Sequence, residues 1–435
     1  MNKKNKVAMN KKNIVFFKYF FLFVLFLSYL TGFFLRENIA GGAEKDFLFF
    51  TWPGIQAFKE NFTTAIINWS VIGEGSTPLF HILNAYFNPF TFNQIGFQIS
   101  ITLISLLNVI FFSQILIEKF RLKKVDALLY SCVFLILPFF RSSAFWGITE
   151  NLGWLFLIIA IKFFLKIDKS KKFFLRNIFL TCLFSSLALY TRPYLIFFPI
   201  FVSFYYLISK QLIKLKYTSI FYLIFSVPGW TLLYLWDWKI YLGEGLNRIN
   251  FIEENHHPKF ILQNLIIFPS IIFFYLLPIE ALSFFKKLRI DKNKLLKFLI
   301  LFLCLTVLNQ FNFFDYLNET KLGGGSLLKL NQFLFKENLI FFIFISSLGI
   351  MVISEYAKFS NKNLILLLIL LLIYTTPKFI FQEYLEPLVL ILFFSILDLK
   401  QETLKLIKKN ENIFYFYIYF IGYYILSFYY RYYVS

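Results

Sequence analysis

The chain has 435 residues, of which 59% are hydrophobic and 22% aromatic, and its mean hydropathy is +0.67. That balance lies far above the globular norm, and many apolar runs approach the ~20 residues that cross a hydrocarbon core, so a soluble enzyme or carrier is excluded. The net charge of +20 fits Lys and Arg on cytoplasmic loops of a membrane protein better than a nucleic-acid surface.

The N-terminal tail, 1–13, carries Lys3, Lys4, Lys6, Lys11 and Lys12 and is placed in the cytoplasm by the positive-inside rule. The first apolar run, 14–35, is too long for a signal-peptide core and lacks a small-residue cleavage site, so it reads as an anchor. A long outer loop, 36–94, follows, and its stretch 47–58, rich in aromatics, reads as an interfacial helix. Further spans are expected at 95–117, 125–140, 150–166, 177–190, 194–209, 217–236, 261–284, 295–313, 338–354, 363–375, 386–398 and 413–430. The expected architecture is therefore all-α: one integral membrane domain over 1–435, about 13 spans, with more outer loops at 237–260 and 314–337. The segments at 125–140 and 150–166 are short, and the turn between them is expected to sit within the membrane depth, where protein must cover its backbone. Basic residues crowd the shorter, inner-facing loops, which puts the N-terminus in the cytoplasm and the C-terminus outside.

No Walker loop or GxGxxG is present, which argues against an ATP-driven pump. Gly323, Gly324 and Gly325 lack the Lys-Ser/Thr that phosphate cradling needs and read as a flexible hinge. Cys132, Cys182 and Cys304 fall inside apolar runs and form no disulfide framework. His81, His256 and His257 make no metal motif, so no metal ligands are assigned.

Carboxylates are scarce, which makes those in the first outer loop conspicuous. Asp46 lies about ten residues past the first span, where a carboxylate has the chemistry to take a proton from an attacking hydroxyl. Glu44 stands two residues away, able to share that role or help hold a divalent cation. Both are equally readable as solvated loop acids beside Lys45. In GEGSTPLFH, the Pro78 turn enters a helix and sets His81 one turn on, to bond a substrate or to pack. Arg141, Arg192 in YTRPY and Lys378 sit at outer helix ends, placed either to hold a lipid phosphate or to snorkel to the interface. Glu150 opens a span, where it is either functional or a partner for the helix dipole. Glu383 and Glu386 flank Tyr384 in FQEYLEP and are expected on the same cavity.

An acid in a long first outer loop, a TP turn before the second span, and the segments YTRPY and QEYLEP together resemble the glycosyltransferase C superfamily. STPLFH is similar to the TPP-containing loop of the dolichol-pathway alpha-1,2-glucosyltransferases, and YTRPY and QEYLEP to segments of their bacterial relatives. The family's paired first-loop acids are answered here only by AEKD. The resemblance implies an inverting transfer of a sugar from a polyprenyl-phosphate donor to a glycan, lipid or protein acceptor, at the outer face of a bacterial inner membrane. It implies Asp46, or Glu44, as the base, with Arg192 near the leaving phosphate. It involves no nucleic acid. Two other readings stay open: a transporter or flippase of lipid-linked glycans, and a polysaccharide polymerase or ligase.

Overall fold

The computed structural model describes residues 11–73, 77–169, 172–236, 258–290, 292–311, 317, 323–377 and 379–434. Among them the chain is entirely helical, and the one backbone bridge, Ala357 to Leu399, belongs to no strand. The first long helix is α1 (Lys11–Phe34). Five short helices follow: α2 (Ala43–Asp46), α3 (Trp52–Glu60), α4 (Phe62–Ile67), α5 (Trp69–Ile72) and α6 (Leu79–Phe87), with a π-turn at Phe47–Thr51 joining α2 to α3. Then come α7 (Gln94–Phe120), α8 (Lys124–Cys132), α9 (Pro138–Trp146), α10 (Glu150–Phe164), α11 (Phe174–Thr191), α12 (Phe197–Ile208) and α13 (Leu212–Leu235). The remainder holds α14 (Pro258–Ile290), α15 (Lys292–Gln310), α16 (Gly325–Phe335), α17 (Ile340–Tyr356), α18 (Asn361–Thr375), α19 (Leu388–Ser395), α20 (Gln401–Ile407) and α21 (Asn410–Tyr429).

Each of the thirteen apolar segments contains a helix, but among the described residues seven helices are long and apolar enough to cross a membrane, or up to eight with a bent pair counted. The chain is thus an integral membrane protein. The 15 residues of α10 reach about 22 Å at 1.5 Å each, short of the ~30 Å hydrocarbon core. The short helices survive because neighbours cover them. All of α19 is buried, whereas among the residues of α13 only Thr218 is. On α13, Leu223, Trp230 and Tyr234 point outward, which suits hydrocarbon and not water.

The expected span 125–140 is instead broken at Leu137, and most of the expected turn before 150–166 is the helix α9. The run 124–136 and α9 meet at 72°. Pro138 starts α9 at a position where its missing N–H costs nothing, and Gly147, at φ +73°, ends it. Side-chain amides and hydroxyls then satisfy the interior backbone. Asn151 Nδ2 donates to Ser143 Oγ (2.6 Å), Asn108 Nδ2 to Asn151 O (3.0 Å) and Thr102 Oγ1 to Ala144 O (3.1 Å). Unpaired, such groups would be costly in a dry core.

Small residues set the close crossing of α14 and α17. Ser346 Oγ of α17 donates to Ile266 O of α14 at 2.8 Å, and a Cβ added at Gly349 would lie 2.1 Å from Pro269 O. Such small-residue contacts are how apolar helices pack tightly in lipid. Gly349→Val should therefore force the pair apart and cost at least the ~1–3 kcal/mol usual for overpacking. An unchanged thermal midpoint in detergent would contradict the crossing.

Ion pairs gather at both ends of the bundle. The ion pairs Lys18–Asp126, Lys166–Glu118, Lys214–Asp168, Lys294–Glu355 and Lys362–Asp398 lie at helix ends remote from α2. At the other end, where α2 lies, Arg141 pairs with Glu37 and Arg192 with Glu150, and further carboxylates collect.

Candidate functional site

At that end, four carboxylates from three distant stretches of chain line one small cleft: Asp46, Glu150, Glu383 and Glu386. Ala40, Ser142, Ser143 and Trp154 share its wall, and its enclosed volume is about 20 Å³, room for a water molecule. Asp46 is presented by the last turn of α2, with Ala43 and Phe47 buried beneath it. The chain entering α2 is pinned by Ala40 N, which donates to Ser142 Oγ at 3.1 Å.

Arg192 joins the cluster from the end of α11. It forms an ion pair with Glu150, and its Nη1 donates to Thr149 Oγ1 at 3.0 Å. The guanidinium lies over the rings of Tyr194 and Tyr384, 5.2 and 5.8 Å from their centroids, and those rings stack at 4.8 Å. Its stem passes beside Gly153, where a Cβ would stand 3.1 Å from Arg192 Cγ. Pro193 and the two tyrosines leave it little freedom.

Burial, helped by the negative charge of Glu150, pushes the Glu383 carboxyl up to about 7, with Arg192 opposing and Asp46 adding to the rise. Folding therefore tightens its hold on a proton. The stabilisation this brings is complete below the ordinary carboxylate range and is lost as pH climbs through about 7. Glu383→Gln should accordingly flatten the fall in thermal midpoint between pH 5 and pH 8. An equal fall in both proteins would refute this.

The other candidates lie elsewhere. Glu44 is exposed and accepts a long bond from Asn38 Nδ2 (3.4 Å). Arg141, 1% exposed, is committed to Glu37: Nε and Nη2 each bond its carboxylate at 2.7 Å, Nη1 donates to Leu135 O (2.7 Å) and Nη2 to Ser28 O (3.1 Å). It holds α9 to the end of α1 and does not face the acidic cleft. A larger groove of about 520 Å³ opens beside it between α1 and α21.

His81 is buried against Trp69, ring centroids 4.6 Å apart, and against Gly54. Burial lowers its imidazole to about 3, so it is neutral, and neither ring nitrogen has a hydrogen-bond partner among the described residues. It packs α3 against α6. Lys378, His256, His257 and Glu74–Ser76 lie outside the described residues. Among the described residues no three His, Cys, Asp or Glu side chains stand close enough to share a metal ion.

The glycine run is not a free hinge. Gly324, at φ +79°, donates its N–H to Ile380 O at 2.8 Å, and Ser326 bonds Gln382 Oε1 through N (2.6 Å) and Oγ (2.9 Å). The turn at Thr77 likewise reaches YTRPY, its hydroxyl bonding Tyr190 O. Sequence reasoning passed over Ser142, Ser143 and Thr149. Their signal was a cluster of small hydroxyl residues in RSSAFWGITE, between two apolar runs.

The fold and cleft define an all-helical integral membrane protein with an acidic site at one end of its bundle. No protein-family model, no characterised protein and no solved structure matches this chain.

Proposed function

We propose that the chain is an inverting glycosyltransferase that moves a sugar from a polyprenyl-phosphate donor to an acceptor hydroxyl at the outer face of the membrane. The supporting observation is the meeting of Asp46, Glu150, Arg192 and Glu383 in one place, although about 340 residues separate the first from the last. In this reading the bilayer is bacterial, the basic ends face the cytoplasm and the acidic end faces outward. About thirteen segments then cross or enter the membrane, and α2 to α6 lie along its surface.

Asp46 accepts the proton of the acceptor hydroxyl as its oxygen attacks the anomeric carbon. The bond from that carbon to the phosphate oxygen breaks, its electron pair leaves with the polyprenyl phosphate, and the centre inverts. Arg192 stabilises the charge developing on the phosphate. Glu383 helps while protonated, since its hydroxyl donates to phosphate oxygen and its ionised form repels it. A divalent cation would be held by Asp46 together with the substrate phosphate, since Glu44 does not line the cleft. A sugar needs far more than the present cleft, because small-molecule sites run to several hundred Å³. Side chains lining the cleft must therefore move apart on binding.

The test is reconstitution in liposomes with radiolabelled polyprenyl-phosphate hexoses and membrane extract as acceptor. The expected result is labelled acceptor with equimolar release of polyprenyl phosphate. Label that crosses the bilayer still lipid-linked would replace this reading with a transporter.

A further inference from the structure

The proposed reaction leaves one carboxylate of the cleft without a task. Glu386 is 1% exposed. Its Oε1 accepts from Phe139 N at 2.8 Å, in the first turn of α9. Its Oε2 accepts from Tyr275 Oη of α14 at 2.6 Å and from Tyr423 Oη of α21 at 3.2 Å. Gln382, one turn earlier, donates Nε2 to the same two phenols at 2.8 and 3.1 Å. All three bonds to Glu386 are donated to it, and one satisfies a backbone N–H that a helix start leaves unpaired.

The effect of this anchor passes along α9. Three residues beyond Phe139 stands Ser142, whose hydroxyl receives Ala40 N, and Ala40 leads into α2 and Asp46. The loop 382–386 that carries Glu386 also carries Glu383 across the cleft. We propose that Glu386 is a positioning residue: by holding the first turn of α9 to the 382–386 loop, it fixes the distance between Asp46 and Glu383. It touches no reacting atom. This role rests on the transferase reading, where a misplacement of about 1 Å can cost on the order of 100-fold in rate.

Two measurements on the full chain in liposomes test it. In Glu386→Ala, backbone amides of 139–142 and 40–43 should exchange hydrogen about tenfold faster, with those of α7 unchanged. The kcat for transfer should fall about 100-fold with KM within about threefold. Glu386→Gln keeps an oxygen for Phe139 N and should recover at least about a tenth of the rate. Unchanged exchange at 40–43, a raised KM with intact kcat, or a Gln variant as poor as Ala would each overturn the assignment. If Glu386→Ala does not fold, Tyr275→Phe and Tyr423→Phe, which each remove one donor, undergo the same two measurements: faster exchange at 40–43 with a lowered kcat supports the role, and no change in either overturns it. The two ideas fail separately. No transfer by the parent chain removes the transferase reading, whereas transfer by the parent with Glu386→Ala unaffected removes only the positioning role.

Discussion

Asp46→Asn is expected to reduce sugar transfer by about 10²–10⁴-fold, the contribution of a positioned general base, while the protein still inserts and folds. The amide keeps the shape of the carboxylate but cannot take the proton. Asp46 is exposed at the mouth of the cleft, and substitutions at such positions shift stability by only about 0.5 kcal/mol. A drop in rate with an unchanged melting midpoint and elution profile would separate chemistry from folding. Glu44→Gln supplies the control: Glu44 is not among the residues lining the cleft, and its substitution should leave the rate within about threefold of the parent. If Glu44→Gln is inactive and Asp46→Asn active, the base has been misassigned.

Arg141→Ala is expected to do the reverse and remove the folded protein. Arg141 and Glu37 are 1% and 4% exposed and share two 2.7 Å bonds. Tyr424 Oη adds a third donor to Glu37 at 2.9 Å, and the guanidinium also lies 4.9 Å from the Tyr424 ring centroid. Removing one partner strands the other charge in a dry interior, at a cost of about 3–5 kcal/mol, a large share of a typical stability. Glu37→Ala should be as damaging. The double change Arg141→Met with Glu37→Leu should fold better than either single variant, because it leaves no buried charge behind. Size-exclusion profiles and thermal midpoints of the three variants read this directly. A folded but inactive Arg141→Ala would return the residue to the substrate.

These opposite expectations mark what the sequence could and could not reveal. The helices were legible because apolar blocks are separated by basic or Pro/Gly-containing breaks. How many cross the membrane was not, since α10 and α19 look like spans in composition and differ only in length and covering. Asp46, Glu150, Arg192 and Glu383 could be picked out because charge is rare in so greasy a chain, and rarity carries information about place. Pairing carried none. Arg141 and Arg192 look alike at helix ends, and only the fold shows that one is consumed by Glu37, 104 residues earlier, while the other borders the cleft. His81 stayed open for the same reason: a neutral imidazole packed on Trp69 has the same letter as a ligand.

The joint among Glu37, Arg141 and Tyr424 also bears on biogenesis. Asn38 N donates to Tyr432 Oη nearby at 3.2 Å, and Phe21 meets Tyr417 edge-on at 4.7 Å, so α1 is clasped by a helix translated about 400 residues after it. Until α21 emerges from the ribosome, the Glu37 carboxylate lacks its phenolic donor and one flank of α1 faces bare lipid. The lock on α1 thus closes only once a helix far along the chain has been made.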